Sequence, residues 1–168
     1  GSEMCIRDRN DTIEDLAVGK YELTLSSHKT AFTEPAFEMP VYKGTVEAII
    51  VEDEITETNV LATQDNAGVF FVYDASLEET QYADIVPAVG YEGKALSFVD
   101  ADRERKGYFP AGNLAIALKG GEKELLIEGE AEKLLAVEAA QLWKMTLKAD
   151  EKNTNLILTV VEINDPQN

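Results

Sequence analysis

Short apolar runs that alternate every second residue, each closed by a turn signal, occupy most of this chain. A period of two is the mark of extended strands with one face buried. Lys20-Tyr21-Glu22-Leu23-Thr24-Leu25-Ser26 puts Tyr21, Leu23 and Leu25 on one face, and Thr45 to Val51 is rich in β-branched residues. Val69-Phe70-Phe71-Val72-Tyr73 is nearly continuous, as a strand buried on both faces would be. Further runs fall at Ala95–Val99, Leu114–Leu118, Glu124–Ile127, Leu142–Lys148 and Leu156–Val161, with a less regular one from Thr56 to Thr63. Val18-Gly19, Asp65-Asn66-Ala67-Gly68, Pro110-Ala111-Gly112-Asn113, Gly120-Gly121 and Asp150-Glu151-Lys152-Asn153 punctuate them. This pattern predicts an all-β chain, an Ig-like antiparallel β-sandwich. The break at Asp65–Gly68 divides it into two linked units, residues 12–64 and 65–168.

Three segments read differently. Glu130 to Gln141 is rich in Ala, Glu and Leu and is helical on propensity alone. A short helix or a strand with a loop would both fit, and mostly extended structure is expected. Ile13–Leu16 and Ser76–Tyr82 carry helical character, the second with a Ser start and Glu79 three residues on, a capping-box pattern.

Charge narrows the function classes. The chain holds 15 Lys and Arg against 32 Asp and Glu, a net charge of −17. A field of that sign repels phosphate backbones and anionic headgroups, so nucleic acid and membrane surfaces are not expected partners. No stretch approaches the roughly 18 apolar residues of a membrane span. A single cysteine, Cys5, excludes an internal disulfide and a Cys-rich zinc site.

Catalytic apparatus is sparse. The one imidazole, His28, follows Ser26 and Ser27 at a strand end, where adjacent side chains point to opposite faces. An exposed strand-end histidine is expected there. Glu52-Asp53-Glu54 reads as a solvated hairpin loop. Phosphate-cradling glycine motifs are missing. Asp100, Asp102 and Glu104 resemble the start of a calcium loop, since oxygen ligands at alternating positions converge on a hard cation. Position six is Arg105 rather than Gly, so a solvated loop is the default. Trp143, Tyr42, Tyr91, Tyr108 and Phe109 could stack on sugar rings. Trp143 alternates with Met145 and Leu147 and so belongs to a core face, while Tyr108-Phe109 before Pro110 reads as a loop-borne contact or a cap on the core. No catalytic residue and no cofactor is expected.

The first residues stand apart. Gly1-Ser2 matches a tag-cleavage scar, and Ser2 to Arg9 resembles translated sequencing-adapter sequence, so residues 1–11 are set aside from the natural protein.

Three phrases occur in order: Leu16-Ala17-Val18-Gly19-Lys20-Tyr21, Phe37-Glu38-Met39-Pro40-Val41-Tyr42-Lys43-Gly44, and Arg105-Lys106-Gly107-Tyr108-Phe109-Pro110-Ala111-Gly112. Together, over residues 12–165, they resemble fimbrillin-like surface lipoproteins of Bacteroidota, in a subfamily known only as a domain of unknown function. The resemblance implies transthyretin-like or Ig-like sandwich units, export, lipid anchoring at the outer-membrane surface and a role in adhesion or fimbriae. It also implies strands before Leu16 that are missing here, leaving the first unit incomplete with a sheet edge open to pairing. The expected function is a non-enzymatic surface adhesion or fimbrial-type module. Its partners would be other protein subunits, through strand pairing, or host and cell-surface ligands. The alternative is a surface carbohydrate-binding accessory module with glycan ligands.

Overall fold

The computed structural model describes residues 2–6, 13, 14, 16–120, 123–125, 133–150 and 156–163. The chain divides into two compact units, Gly1–Ala31 with Val41–Asp65, and Phe32–Pro40 with Asn66–Asn168. The described residues form an all-β protein without α-helix.

The first unit is one sheet. Its strands are β1 (Ser2–Ile6), β2 (Gly19–Ser26), β4 (Tyr42–Ile50) and the two-residue β5 (Thr63–Gln64), in the order β1-β2-β4-β5. β2 and β4 are antiparallel, with Leu23 opposite Val46 and Tyr21 opposite Ala48. One sheet face is therefore apolar, while Lys20, Glu22, Thr45 and Glu47 occupy the other. Of the irregular run from Thr56, only Thr63–Gln64 is extended. Val60 and Leu61 instead cross over Gly44, where a Cβ would collide with the Leu61 carbonyl. Only glycine permits so close a backbone approach.

The chain leaves this unit at Phe32, adds β3 (Ala36–Phe37) to the second unit, and returns at Val41. Residues 32–40, which a boundary at Asp65 assigns to the first unit, pair with the second. Asn66, 1% exposed, ties them down by donating from Nδ2 to the Met39 carbonyl at 2.9 Å. Its own carbonyl accepts from Ala140 N–H at 3.0 Å. A buried amide needs such partners.

The second unit is the β-sandwich. One sheet runs β14-β13-β6-β9-β3, with β6 (Ala67–Tyr73), β9 (Gly107–Phe109), β13 (Leu142–Ala149) and β14 (Leu156–Glu162). The other runs β11-β10-β7-β8, with β7 (Ile85–Tyr91), β8 (Lys94–Ser97), β10 (Gly112–Gly120) and β11 (Lys123–Leu125), and β12 (Lys133–Val137) also on β10. β11 and β12 lie end to end along the same edge of β10, opposite β7. Most pairs are antiparallel, but β6–β13 is parallel. Val69, Phe71, Met145 and Leu147 from one sheet meet Ile85, Val89, Leu114, Ile116 and Leu118 from the other around Phe98. Alternate residues of each strand supply this core.

Three elements differ from the sequence reading. β7 has no counterpart among the runs read from the sequence, and it contains Pro87, a residue that argues against a strand. Here Phe98 N–H donates to the Pro87 carbonyl at 2.8 Å, so Pro87 turns its hydrogen-bonding edge toward the β8 side. The β8 ladder stops at Ala88, and the missing N–H takes nothing from β10. The helix expected at Ser76–Tyr82 reduces to a 3-10 turn at Ala75–Leu77. Its cap is Asp74, whose carboxylate accepts Ser76 N–H at 2.9 Å, while Ser76 Oγ accepts from Ala149 N–H at 3.0 Å. Residues 13, 14 and 16 lie in neither helix nor strand. In the Ala-rich segment, Lys133–Val137 is extended, as β12. Residues 130–132 lie outside the described residues.

Candidate functional site

The loop between β8 and β9 holds the calcium candidates. Asp100–Asp102 form a 3-10 turn, after which Arg103 and Arg105 fold back toward it. Arg103 Nε lies 3.0 Å from Asp100 Oδ1, as an ion pair without aligned hydrogen-bond geometry, and Nη2 donates to the Ala83 carbonyl at 3.1 Å. Its guanidinium covers the Tyr73 ring at 4.3 Å. Burial pushes the Tyr73 phenol up to about 12, with the Arg103 charge opposing. Arg105 Nη1 donates to Asp102 Oδ1 at 2.7 Å and its guanidinium covers Phe37 at 4.6 Å.

The carboxylates of Asp100 and Asp102 thus turn to separate arginines, and Glu104 is exposed. Among the described residues no three His, Cys, Asp or Glu side chains are grouped to hold a metal. The cations facing Asp100 and Asp102 are guanidinium groups, whereas hard-cation coordination needs several oxygens converging on one point.

Of the two readings of Tyr108-Phe109, a buried pair is the one found. Tyr108 and Phe109 belong to strand β9 and are 8% and 0% exposed. Phe109 points into the core, and Tyr108 packs over Gly68, opposite it across β6 and β9. Neither ring offers a free face to a sugar. Trp143 packs against the core, donating from Nε1 to Gln141 Oε1 at 3.2 Å. Tyr91 lies against Gly112, and of these five aromatics only Tyr42 is exposed.

His28 is half-buried rather than exposed. β2 ends at Ser26, and beyond it the chain turns so that Ser27 Oγ lies 2.8 Å from His28 Nδ1. Tyr42 N–H donates to the same Oγ at 2.9 Å. Either atom of the Ser27–His28 contact can be the donor, as the ring tautomer decides. The strand-alternation rule missed this contact because it applies only within the strand. The geometry closes a turn between β2 and β4. A nucleophile also needs its base oriented by a third group, and among the described residues no partner holds the other ring nitrogen. Glu52-Asp53-Glu54 is an exposed turn with Asp53 at φ 58°.

The strand edges have the more definite chemistry. β2 carries β4 on one edge and, on the other, β1 in parallel register, from Ser2 opposite Tyr21 to Ile6 opposite Leu25. A strand edge is a row of N–H and C=O groups that must find partners. Here an extended segment from outside the β2–β4 hairpin provides them. Residues 7–18 intervene, the dozen or so that a parallel connection requires.

A family model described as a domain of unknown function (DUF4493) matches residues 6–166. No curated protein and no solved structure matches the chain.

Proposed function

The chain belongs to the DUF4493 family, and we propose that this member is an exported cell-surface adhesion or fimbrial-type structural module that works by strand pairing rather than catalysis. The observation that carries this reading is the outer edge of β2, whose backbone groups take Ser2–Ile6, part of the segment the sequence sets apart from the natural protein, as a parallel partner over five residues. Recognition by backbone ladder is how strand addition joins extended segments to a sheet, with alternate side chains setting preference. The resemblance to fimbrillin-like surface lipoproteins of Bacteroidota supports export, a lipid anchor and subunit or surface-ligand partners. No helix among the described residues is long and apolar enough to cross a membrane. The burial of Tyr108 and Phe109 weighs against a carbohydrate-binding role.

A chain starting at Thr12 tests the reading, since it lacks the strand on the β2 edge. Light scattering of both chains across the same wide concentration range should show it associating beyond whatever state the full chain reaches at each concentration. A species of the same mass as the full chain at every concentration would overturn the proposal.

A further inference from the structure

The second unit has an edge of a different kind. β14 ends its sheet, and among the described residues nothing pairs with its far side. Long edge strands are normally guarded by charge, proline or a bulge. β14 has none of these from Leu156 to Val161: its residues are Leu, Ile, Leu, Thr, Val and Val, and its ladder to β13 runs unbroken from Leu156 to Glu162. Ile157 and Val161 are 43% and 48% exposed on the outer face.

The direction of its free hydrogen-bonding groups follows from one contact. Ile163 N–H donates to the Leu142 carbonyl at 2.7 Å. Because N–H and C=O of one residue point the same way and alternate along an antiparallel strand, Ile157, Thr159 and Val161 also face β13. Leu156, Leu158, Val160 and Glu162 therefore direct their backbone groups to the open side.

That edge complements itself. Turned about a two-fold axis through Thr159, β14 meets a second β14 antiparallel, with Leu158 opposite Val160 and each such pair exchanging both hydrogen bonds. Thr159 then faces Thr159, and each exposed Ile157 faces an exposed Val161. Apolar and β-branched cross-strand pairs of this kind stabilise a sheet, and Thr–Thr pairs can hydrogen-bond. The chain carries a net charge of −17, yet the only charged residue of β14 is Glu162, which falls opposite Leu156. No like charges meet across the seam.

We propose that β14 is a homodimer edge, on which a second copy of this chain continues the sheet through an isologous pairing centred on Thr159. This edge lies in the second unit, separate from the β2 edge, so the two pairings stand or fall independently. A two-fold contact closes at two copies and does not propagate.

Cross-linking of full-length chains tests the axis directly. Cys5→Ser removes the natural thiol from the background. Thr159→Cys then places two sulfurs at a non-hydrogen-bonded pair, where the Cα atoms are about 4.5 Å apart, within disulfide reach. Ile157→Cys faces Val161 instead, about 13 Å from its own copy at ~3.3 Å per residue. Mild oxidation should give a disulfide-linked dimer with Thr159→Cys and little with Ile157→Cys. Sedimentation velocity of the unaltered chain under reductant should show a monomer–dimer equilibrium. Thr159→Lys, on the exposed face, should weaken it by about two- to fivefold through facing like charges, with the thermal midpoint at low concentration confirming an intact fold. A monomer at all concentrations, equal cross-linking of both cysteine variants, open-ended higher oligomers, or a dimer indifferent to Thr159→Lys would each overturn the proposal.

Discussion

Arg103 lays its guanidinium 4.3 Å over the ring of Tyr73 while reaching the carbonyl of Ala83, so one side chain ties β6 to the turn before β7. Arg105 does the same for Phe37 of β3. Planar guanidinium groups can stack and donate at once, which an ammonium cannot. Arg103→Lys is therefore expected to destabilise the second unit by about 1 kcal/mol despite conserving charge. Chemical denaturation of the two proteins checks this, and equal midpoints would argue against the stacked contact.

Tyr73 gives the fold an alkaline limit. Its phenol is raised from 10.0 to about 12, chiefly by burial, so the folded state holds the proton more tightly than the unfolded chain. The contribution is fully present below pH 10 and is lost as pH rises through about 12. Tyr73→Phe has no proton to lose, so its denaturation midpoint should fall less between pH 9.5 and 11.5 (roughly, bracketing the reference phenol value) than that of the unaltered protein. Parallel curves would show that burial of the phenol is not maintained.

Gly107 is a steric rather than a conformational requirement. A Cβ there would lie 2.9 Å from Phe98 Cζ and 3.0 Å from Leu96 Cδ1, with no positive φ to accommodate. Gly107→Ala should cost about 1–3 kcal/mol by overpacking. Phe98→Leu made in the same chain should recover part of that loss, because neighbouring substitutions are not additive. Strict additivity would place the strain elsewhere.

Calcium should do nothing to the β8–β9 loop. Asp102 is 2.7 Å from Arg105 Nη1 and the acids do not converge. A thermal melt with excess calcium is expected to match one in chelator. Asp102→Ala should lower the midpoint modestly, corresponding to a stability loss of about 0.5–1 kcal/mol for a partly exposed pair. A calcium-dependent rise lost in that variant would restore the metal reading.

Strands with strict alternation were legible before any coordinates: Tyr21, Leu23 and Leu25 do share a face, and Met145 and Leu147 do enter the core beside Trp143. β7 was not, because the effect of Pro87 depends on which neighbour its missing N–H would have faced, and that is a property of the sheet. Tyr108 and Phe109 misled for a related reason. Flanking Gly and Pro signal a loop, yet three residues suffice for a strand when β6 lies alongside. The arginine contacts were invisible too, since Tyr73 and Phe37 lie far from Arg103 and Arg105 along the chain. The two candidate edges were legible only in part. Unguarded composition can be read from Leu156 to Val161, but which strand ends a sheet is decided by long-range pairing.

The division of one β10 edge between two partners has a practical consequence. β11 is set by its pairing from Leu118 to Gly120, and β12 by its own from Gly112 to Ile116. Each half therefore has its own register marks. A substitution that unpairs Leu118 from Leu125 would leave Leu114 opposite Leu135 in step, so this edge can fail by halves rather than all at once.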